Sequence, residues 1–229
     1  MELEQKFENI PGNLQDAYKQ CLKGTMLHAY EIMRDQREDV NLYDISFHTA
    51  EGIVYSLDHE IPRLRITPEK NNPVLDHIDD EVNNSYKQLA NNGIYKVLPA
   101  DFNRVKSAED TVTIDLTQLR LQRDDNKGNW CLVISITNYD KLNQEECRLA
   151  ECIYGQGTAD FRDNMGMLKK IGVDETKVYV LHPEYVKTNA KENALGRVAV
   201  LESYFYHYWC FSAIDRGSDH SHSLRGVRK

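Results

Sequence analysis

The sequence predicts an α+β fold, in which an antiparallel or mixed sheet has helices packed on it and the C-terminal third is helical. Residues 43–57, 112–121 and 130–136 alternate apolar and polar side chains, which is the period of half-buried strands. Residues 14–34 and 186–208 repeat apolar side chains every three or four positions, which is the period of helices. Both periods occur in one chain, and this combination predicts the α+β class.

We expect the 229 residues to form a single α+β domain over residues 1–229. No internal repeat, low-complexity segment or change in composition divides the sequence. The polar connection near residues 99–110 is where the chain would divide if it formed two smaller units.

The first half of the chain is expected to hold two helices and a small group of strands. The first helix runs from about Leu14 to Arg34, after an asparagine that is a good N-cap. Residues 43–57 predict a β-hairpin with its turn at 49–52, which ends in glycine. A third strand is expected at 63–67, and a second helix begins at Asn72-Pro73.

Two strands are expected in the middle of the chain, and one of them is central. Val112, Ile114 and Leu116 alternate with polar residues, and a turn at 124–129 leads to a second strand at 130–137. That second strand is apolar on part of both faces, so it is expected inside the sheet.

The last third is predicted to be mainly helical. A short helix is expected at 143–154, followed by a helix that begins near Thr158 and ends at Gly172. After a strand at 177–181, the apolar spacing predicts a long helix from about Glu184 to near Cys210.

The charge of the chain argues against a general nucleic-acid-binding protein. Thirty-six acidic residues exceed 28 basic ones, giving a net charge of −8, whereas nucleic-acid binding requires a basic surface. The basic C-terminal tail is the one segment that could contact nucleic acid or an acidic partner. No run of about 18 apolar residues predicts a membrane span, so no membrane contact is expected.

The five cysteines predict a reducing compartment. They are odd in number, contain no CxxC pair and follow no secretory signal, so a disulfide framework is not expected. They are interpreted as small buried apolar residues of a cytoplasmic or other reducing intracellular protein, or of a virion subunit.

The C-terminal tail contains a candidate metal site. His220 and His222 are two residues apart, so an extended segment places both imidazoles on one side. Asp215 and Asp219 could complete the ligand set of a divalent ion. Because the tail is polar, it should fray unless the protein's own body, a metal or a neighbouring chain holds it in place.

An aromatic cluster precedes the tail and is a candidate interface. A helix would place these rings all round its circumference, so they are either buried on every side or presented to a partner. With two tail arginines docking on a neighbour, the candidate contact residues are Tyr204, Tyr206, Tyr208, Trp209, Arg225 and Arg228.

We therefore expect one of two functions, and the first is favoured over the second. The first is a non-catalytic interaction or assembly protein without a cofactor, a subunit of a homo-oligomer or larger particle, with a viral or phage structural protein as one form. The alternative is a metal-dependent hydrolase of a phosphoester, with a divalent metal ion on the C-terminal Asp-His-Ser-His segment. A weaker third idea is a small-ligand module at Gly155–Gly157, where a helix N-terminus could hold a phosphate.

Overall fold

The computed structural model describes residues 7–10, 21–23, 45–73, 95–125, 128–155, 157–170, 172–204, 208–215 and 223–228. Within these ranges, strands join one mixed sheet and α-helices lie against it, which confirms the predicted α+β class. None of the described helices has the length and apolar character needed to cross a bilayer.

The strands and helices are numbered in chain order. The strands are β1 (Phe7–Ile10), β2 (Cys21–Lys23), β3 (Ile45–Asp58), β4 (Ile61–Thr67), β5 (Tyr95–Lys96), β6 (Val112–Asp115), β7 (Gln122–Arg123), β8 (Trp130–Ser135), β9 (Glu175–Tyr179), β10 (Leu195–Tyr204), β11 (Tyr208–Asp215) and β12 (Ser223–Arg228). The helices are α1 (Pro99–Ser107), α2 (Gln144–Tyr154), α3 (Gly157–Lys170) and α4 (Pro183–Asn189). Short 3₁₀ turns occupy Glu69–Asn71, Leu116–Gln118 and Tyr139–Lys141.

The sheet runs in the order β1-β12-β3-β10-β11-β9-β8-β7, and β4 pairs with both β3 and β6. The pairs β12–β3 and β11–β9 are parallel, whereas β3–β4, β3–β10, β10–β11 and β8–β9 are antiparallel. Strands β3 and β10 are therefore interior, and β7 lies at an edge.

The predicted hairpin at 43–57 is wrong. Residues Ile45–Asp58 form one 14-residue strand, and the real hairpin joins β3 to β4 through His59 and Glu60, whose φ angles are 49° and 71°. Two positive φ angles suit the right-handed twist of a tight hairpin. Gly52 is needed for a close approach instead of a turn, because a Cβ there would lie 2.7 Å from Thr67 Cγ2.

The long C-terminal helix at 184–210 is also wrong, and with it the helical C-terminal third. Helix α4 ends at Asn189, and β10 and β11 form an antiparallel hairpin. Residues 195–197 and 199–201 of β10 are all buried, so both faces of this part of the strand are covered, and apolar residues then also fall at helical spacing. The β-branched and aromatic residues of this segment favour strands.

The two predicted helices of the first half fall largely outside the described residues. The strand at Cys21–Lys23 contradicts the helix expected from Leu14 to Arg34 at these three positions, and the remainder of that span is not described. The helix expected to begin at Asn72-Pro73 lies outside the described residues beyond Pro73.

Several other elements are confirmed. Strands β4, β6, β8 and β9 lie where strands were expected, and helix α2 begins after Asn143 as predicted. Helix α3 ends at Lys170 before Gly172, whose φ of 89° suits only glycine well. Residues 116–118, which were expected to continue the strand that begins at Val112, form a 3₁₀ turn, and β6 pairs with β4.

The main core lies on one face of the sheet, under helices α2, α3 and α4. Its side chains alternate along the strands, as they must when one face is covered. The largest buried members include Tyr55, Tyr154, Phe161, Trp209 and Phe211. On the opposite face, α1 contacts β4, where the Arg65 guanidinium lies 5.3 Å from the centre of the Phe102 ring.

Candidate functional site

A pocket of about 430 Å³ opens where β7 and β8 separate. Gln122 pairs with Cys131 and Arg123 with Trp130, so the same register, continued by two residues, would place Arg120 opposite Val133. The chain diverges before that pair forms, because the Arg120 N–H donates to Glu146 Oε1 at 2.9 Å. The pocket is the space left where the strand pairing ends.

One wall of the pocket is built around the Glu146 carboxylate, which is fully buried. The Arg120 Nε donates to Glu146 Oε1 at 2.9 Å and to Oε2 at 3.1 Å, and Nη2 also donates to Oε2. The Asn143 N–H donates to Oε2 at 2.9 Å, while Asn143 Oδ1 accepts from the Glu146 N–H at 3.0 Å. This reciprocal pair is a capping box at the start of α2.

The ionised form of Glu146 is favoured by these contacts. Burial alone would raise the pKa of the carboxyl, but the hydrogen bonds from Arg120 and Asn143 and the charge of Arg120 outweigh it and lower the pKa below its usual range. The carboxylate is therefore a fixed structural anion, which holds Arg120 against the wall of the pocket.

A second wall is fixed by Asn138. Its Oδ1 accepts from the Ser135 N–H at 2.8 Å, and its Nδ2 donates to the Val133 carbonyl at 3.2 Å. The side chain thus satisfies main-chain groups of β8 next to the pocket. The Lys141 carbonyl accepts from Arg120 Nη2 at 2.7 Å, which ties the following 3₁₀ turn to the first wall.

Two charged side chains on the pocket lining form no ion pair with any residue that the structure describes. Lys141 and Glu175 are both exposed, and neither forms an ion pair within the part of the chain that the structure describes. Glu175 is the first residue of β9 and pairs with Ser135. The complete lining is Arg120, Gln122, Leu132, Val133, Asn138, Lys141, Leu142, Glu146 and Glu175.

A separate polar cluster lies beneath the β7–β8 turn. The Asp124 carboxylate accepts from Lys177 Nζ at 3.1 Å and from the Tyr179 hydroxyl, and only 6% of Asp124 is exposed. Burial raises the pKa of the neighbouring Cys131 thiol to about 11. Because the thiol stays neutral near pH 7, this cysteine is a poor nucleophile.

The candidate interface residues fall on two different parts of the sheet. Tyr204 and Tyr208 are main-chain partners at the end of the β10–β11 hairpin, and Tyr206, between them, lies outside the described residues. Trp209 is 1% exposed and packs in the main core, so the structure places it in the interior. Arg225 and Arg228 lie on β12.

The candidate metal ligands are not brought together within the described residues. Asp215 ends β11 opposite Val198, whereas Asp219, His220 and His222 lie outside the described ranges. Among described residues, no group of three or more His, Cys, Asp or Glu could hold a metal ion. The divalent metal site therefore stays a prediction.

The protein's own body holds the end of the C-terminal tail. Strand β12 pairs with β1 through Phe7–Ile10, with β2, and in parallel with β3. Of the three ways to hold this tail, pairing within the chain accounts for residues 223–228.

Gly155 is buried at the end of α2, and Gln156 of the third candidate site lies outside the described residues.

Sequence reasoning missed the pocket at β7 and β8. The spacing Asn143-x-x-Glu146 is a capping-box signal that the sequence does contain. The partner of Glu146 is 26 residues away, and the other lining residues come from four separate elements. No local pattern joins residues so far apart.

No protein-family model matches the chain, and no curated protein matches it. Among solved structures, the chain is similar to a protein described as accommodating massive sequence variation in Nanoarchaeota by the C-type lectin fold. The two share 12% sequence identity at a TM-score of 0.62, over 98% of this chain and 99% of that chain. At this identity the likeness shows the fold alone, and the architecture described above is similar to the C-type lectin fold of that protein.

Proposed function

We propose that this protein is a non-catalytic binding protein that recognises other proteins through its surface, as a subunit of a homo-oligomer or larger particle. The observation that carries the proposal is the full-length likeness to a protein in which this fold accommodates massive sequence variation. A fold kept at 12% identity depends on a limited set of buried contacts, which leaves its surface free to suit different partners.

Buried hydrogen bonds of this chain support the idea that the core keeps the fold while the surface can vary. The Tyr55 hydroxyl, fully buried, donates to the Ala213 carbonyl at 3.0 Å and accepts from the Leu181 N–H at 3.2 Å. These bonds join β3 to β11 and to the segment after β9 without using an exposed side chain. Surface residues can then change with little effect on the sheet.

The proposed contact surface includes the end of the β10–β11 hairpin and strand β12. Tyr204, Tyr206 and Tyr208 are of the residue type that interfaces favour, and Arg225 and Arg228 add charge for an acidic partner. A reducing intracellular compartment belongs to the same proposal. It is supported by the free thiols of Cys131, Cys147, Cys152 and Cys210.

Cross-linking of isotopically mixed protein tests this surface. Equal amounts of ¹⁵N-labelled and unlabelled chain are mixed, treated with a lysine-specific reagent and digested, so that mixed-isotope peptides report only contacts between copies. We expect these links at Lys23, which pairs with β12, or at Lys229, which follows β12 in the sequence. We expect no such links at Lys169 or Lys170 on α3.

A matched pair of variants completes the test. Arg225→Gln combined with Arg228→Gln should remove the mixed links, whereas Arg162→Gln, whose side chain is 57% exposed on α3, should keep them. Unfolding temperatures of both variants show that the sheet is intact. The proposed surface would be overturned if the unmodified chain gave no mixed-isotope links. It would also be overturned if the double variant gave the same links as the unmodified chain.

A further inference from the structure

The pocket between β7 and β8 holds two opposite charges that do not neutralise each other. Lys141 and Glu175 line the same cavity, yet no ion pair joins them in the described structure. The other two charges of the lining, Arg120 and Glu146, are paired directly. Among the residues that the structure describes, the lining is therefore neutral overall and contains one cation and one anion that form no ion pair.

We propose that this pocket binds a small zwitterion that carries an apolar side chain, the chemical class of a free aliphatic amino acid. The proposal goes beyond protein recognition, because none of the proposed contact residues lines the pocket. Its volume of about 430 Å³ lies within the range of small-molecule sites, roughly 300–1,000 Å³.

The carboxylate of the ligand meets Lys141 and Arg120. Arg120 has its Nε and Nη2 held by Glu146 and the Lys141 carbonyl, while its Nη1 makes no hydrogen bond within the described residues. With 61% of its side chain exposed, the guanidinium can offer Nη1 to an anion. Since the buried carboxylate fixes the guanidinium, little side-chain entropy is lost when a ligand binds.

The ammonium of the ligand meets Glu175. This carboxylate is exposed at the start of β9 and has no cationic partner among the described residues. Gln122, exposed on β7, adds an amide that can donate or accept a hydrogen bond. A ligand with both charges therefore satisfies Lys141 and Glu175 together, whereas a simple anion would be repelled by Glu175.

The apolar part of the ligand meets Leu132, Val133 and Leu142. They are the apolar residues of the lining, with Val133 and Leu142 half-buried and Leu132 only 3% exposed. Burial of an aliphatic side chain against them adds a hydrophobic contribution that glycine cannot make. The lining thus favours an amino acid of the leucine type over one without a side chain.

Calorimetric titration of the full chain with L-leucine tests the proposal. We compare L-leucine with three relatives, each lacking one recognised part: leucinamide lacks the carboxylate, N-acetyl-leucine lacks the ammonium and glycine lacks the side chain. L-leucine should bind, and each relative should bind about tenfold more weakly or worse. Equal binding of N-acetyl-leucine and L-leucine would overturn the zwitterion assignment, and so would no binding of L-leucine.

Two variants connect each ligand charge to its residue. Lys141→Met should reduce the preference for L-leucine over leucinamide, since Arg120 still meets the carboxylate, and Glu175→Gln should remove the preference over N-acetyl-leucine. The matched controls Lys169→Met and Glu192→Gln change exposed charges that do not line the pocket and should keep both preferences. If the preferences of the unmodified chain persist in both pocket variants, the ligand binds elsewhere and the proposal is wrong.

Discussion

Arg120 and Glu146 are joined twice, because one buried carboxylate accepts hydrogen bonds from both the main-chain N–H and the guanidinium of Arg120. The same carboxylate accepts from the Asn143 N–H and so caps helix α2. One side chain therefore ends the β7–β8 pairing, starts a helix and fixes a wall of the pocket. The stability of the fold and the shape of the candidate ligand site depend on the same contact.

Glu146→Ala should lower the free energy of unfolding by about 2–3 kcal/mol, because it leaves main-chain and guanidinium donors without their acceptor. Urea denaturation measures the change. The matched control is Glu184→Ala, whose side chain is 69% exposed and pairs with Lys187 at 2.7 Å. The control should change stability far less, and equal losses in both variants would contradict the role of Glu146.

The contribution of Glu146 should also depend on pH. Since its pKa is lowered on folding, its stabilising effect is complete above the pKa of an unfolded glutamate, about 4.3, and is lost as the pH falls through the lower folded value. The difference in unfolding free energy between the unmodified chain and Glu146→Gln should therefore be largest near neutral pH and shrink in acid. A difference that is constant down to acidic pH would contradict the lowered pKa.

Tyr55→Phe should destabilise the protein by about 1–3 kcal/mol, because the Ala213 carbonyl and the Leu181 N–H lose their buried partner. Tyr185→Phe is the control, since 38% of Tyr185 is exposed. Thermal unfolding of both variants measures the effect. A Tyr55→Phe protein as stable as its control would show that this hydroxyl does not hold the sheet together.

Two glycines should respond to alanine in opposite directions. At Gly52 the new Cβ would lie 2.7 Å from Thr67 Cγ2 and 3.0 Å from Asn72 Cα, so Gly52→Ala should cost about 1–3 kcal/mol. At Gly166, inside α3, no described atom outside the neighbouring helix backbone lies within 4 Å of the new Cβ, so Gly166→Ala should add up to about 1 kcal/mol. Chemical denaturation measures both, and loss of stability at both sites would contradict this account.

The sequence predicted the fold class and the elements whose signals are local. The short helix expected at 143–154 matches α2, and β8 was expected at 130–137 because its side chains alternate along the sequence. The interpretation of 195–215 was wrong because strands buried on both faces also satisfy helical spacing. Gly52 suggested a turn, although the reason for glycine there is a contact with Thr67, which only the folded β3–β4 pair creates.

The candidate sites also differ in how much of each could be predicted from local sequence. The aromatic cluster was visible as composition, but the inward position of Trp209 depends on the register of β10 and β11. The pocket depends on the contact between Arg120 and Glu146, which are 26 positions apart, so no short sequence motif includes both residues. Local patterns identify helices and strands, whereas a site assembled from distant elements requires the topology.

The molar mass of the unmodified chain in solution, measured by light scattering over a range of concentrations, tests the proposed function most directly. We expect a stable species whose mass is two or more times the 26.5 kDa of one chain. A species of 26.5 kDa at every concentration would contradict a role in assembly.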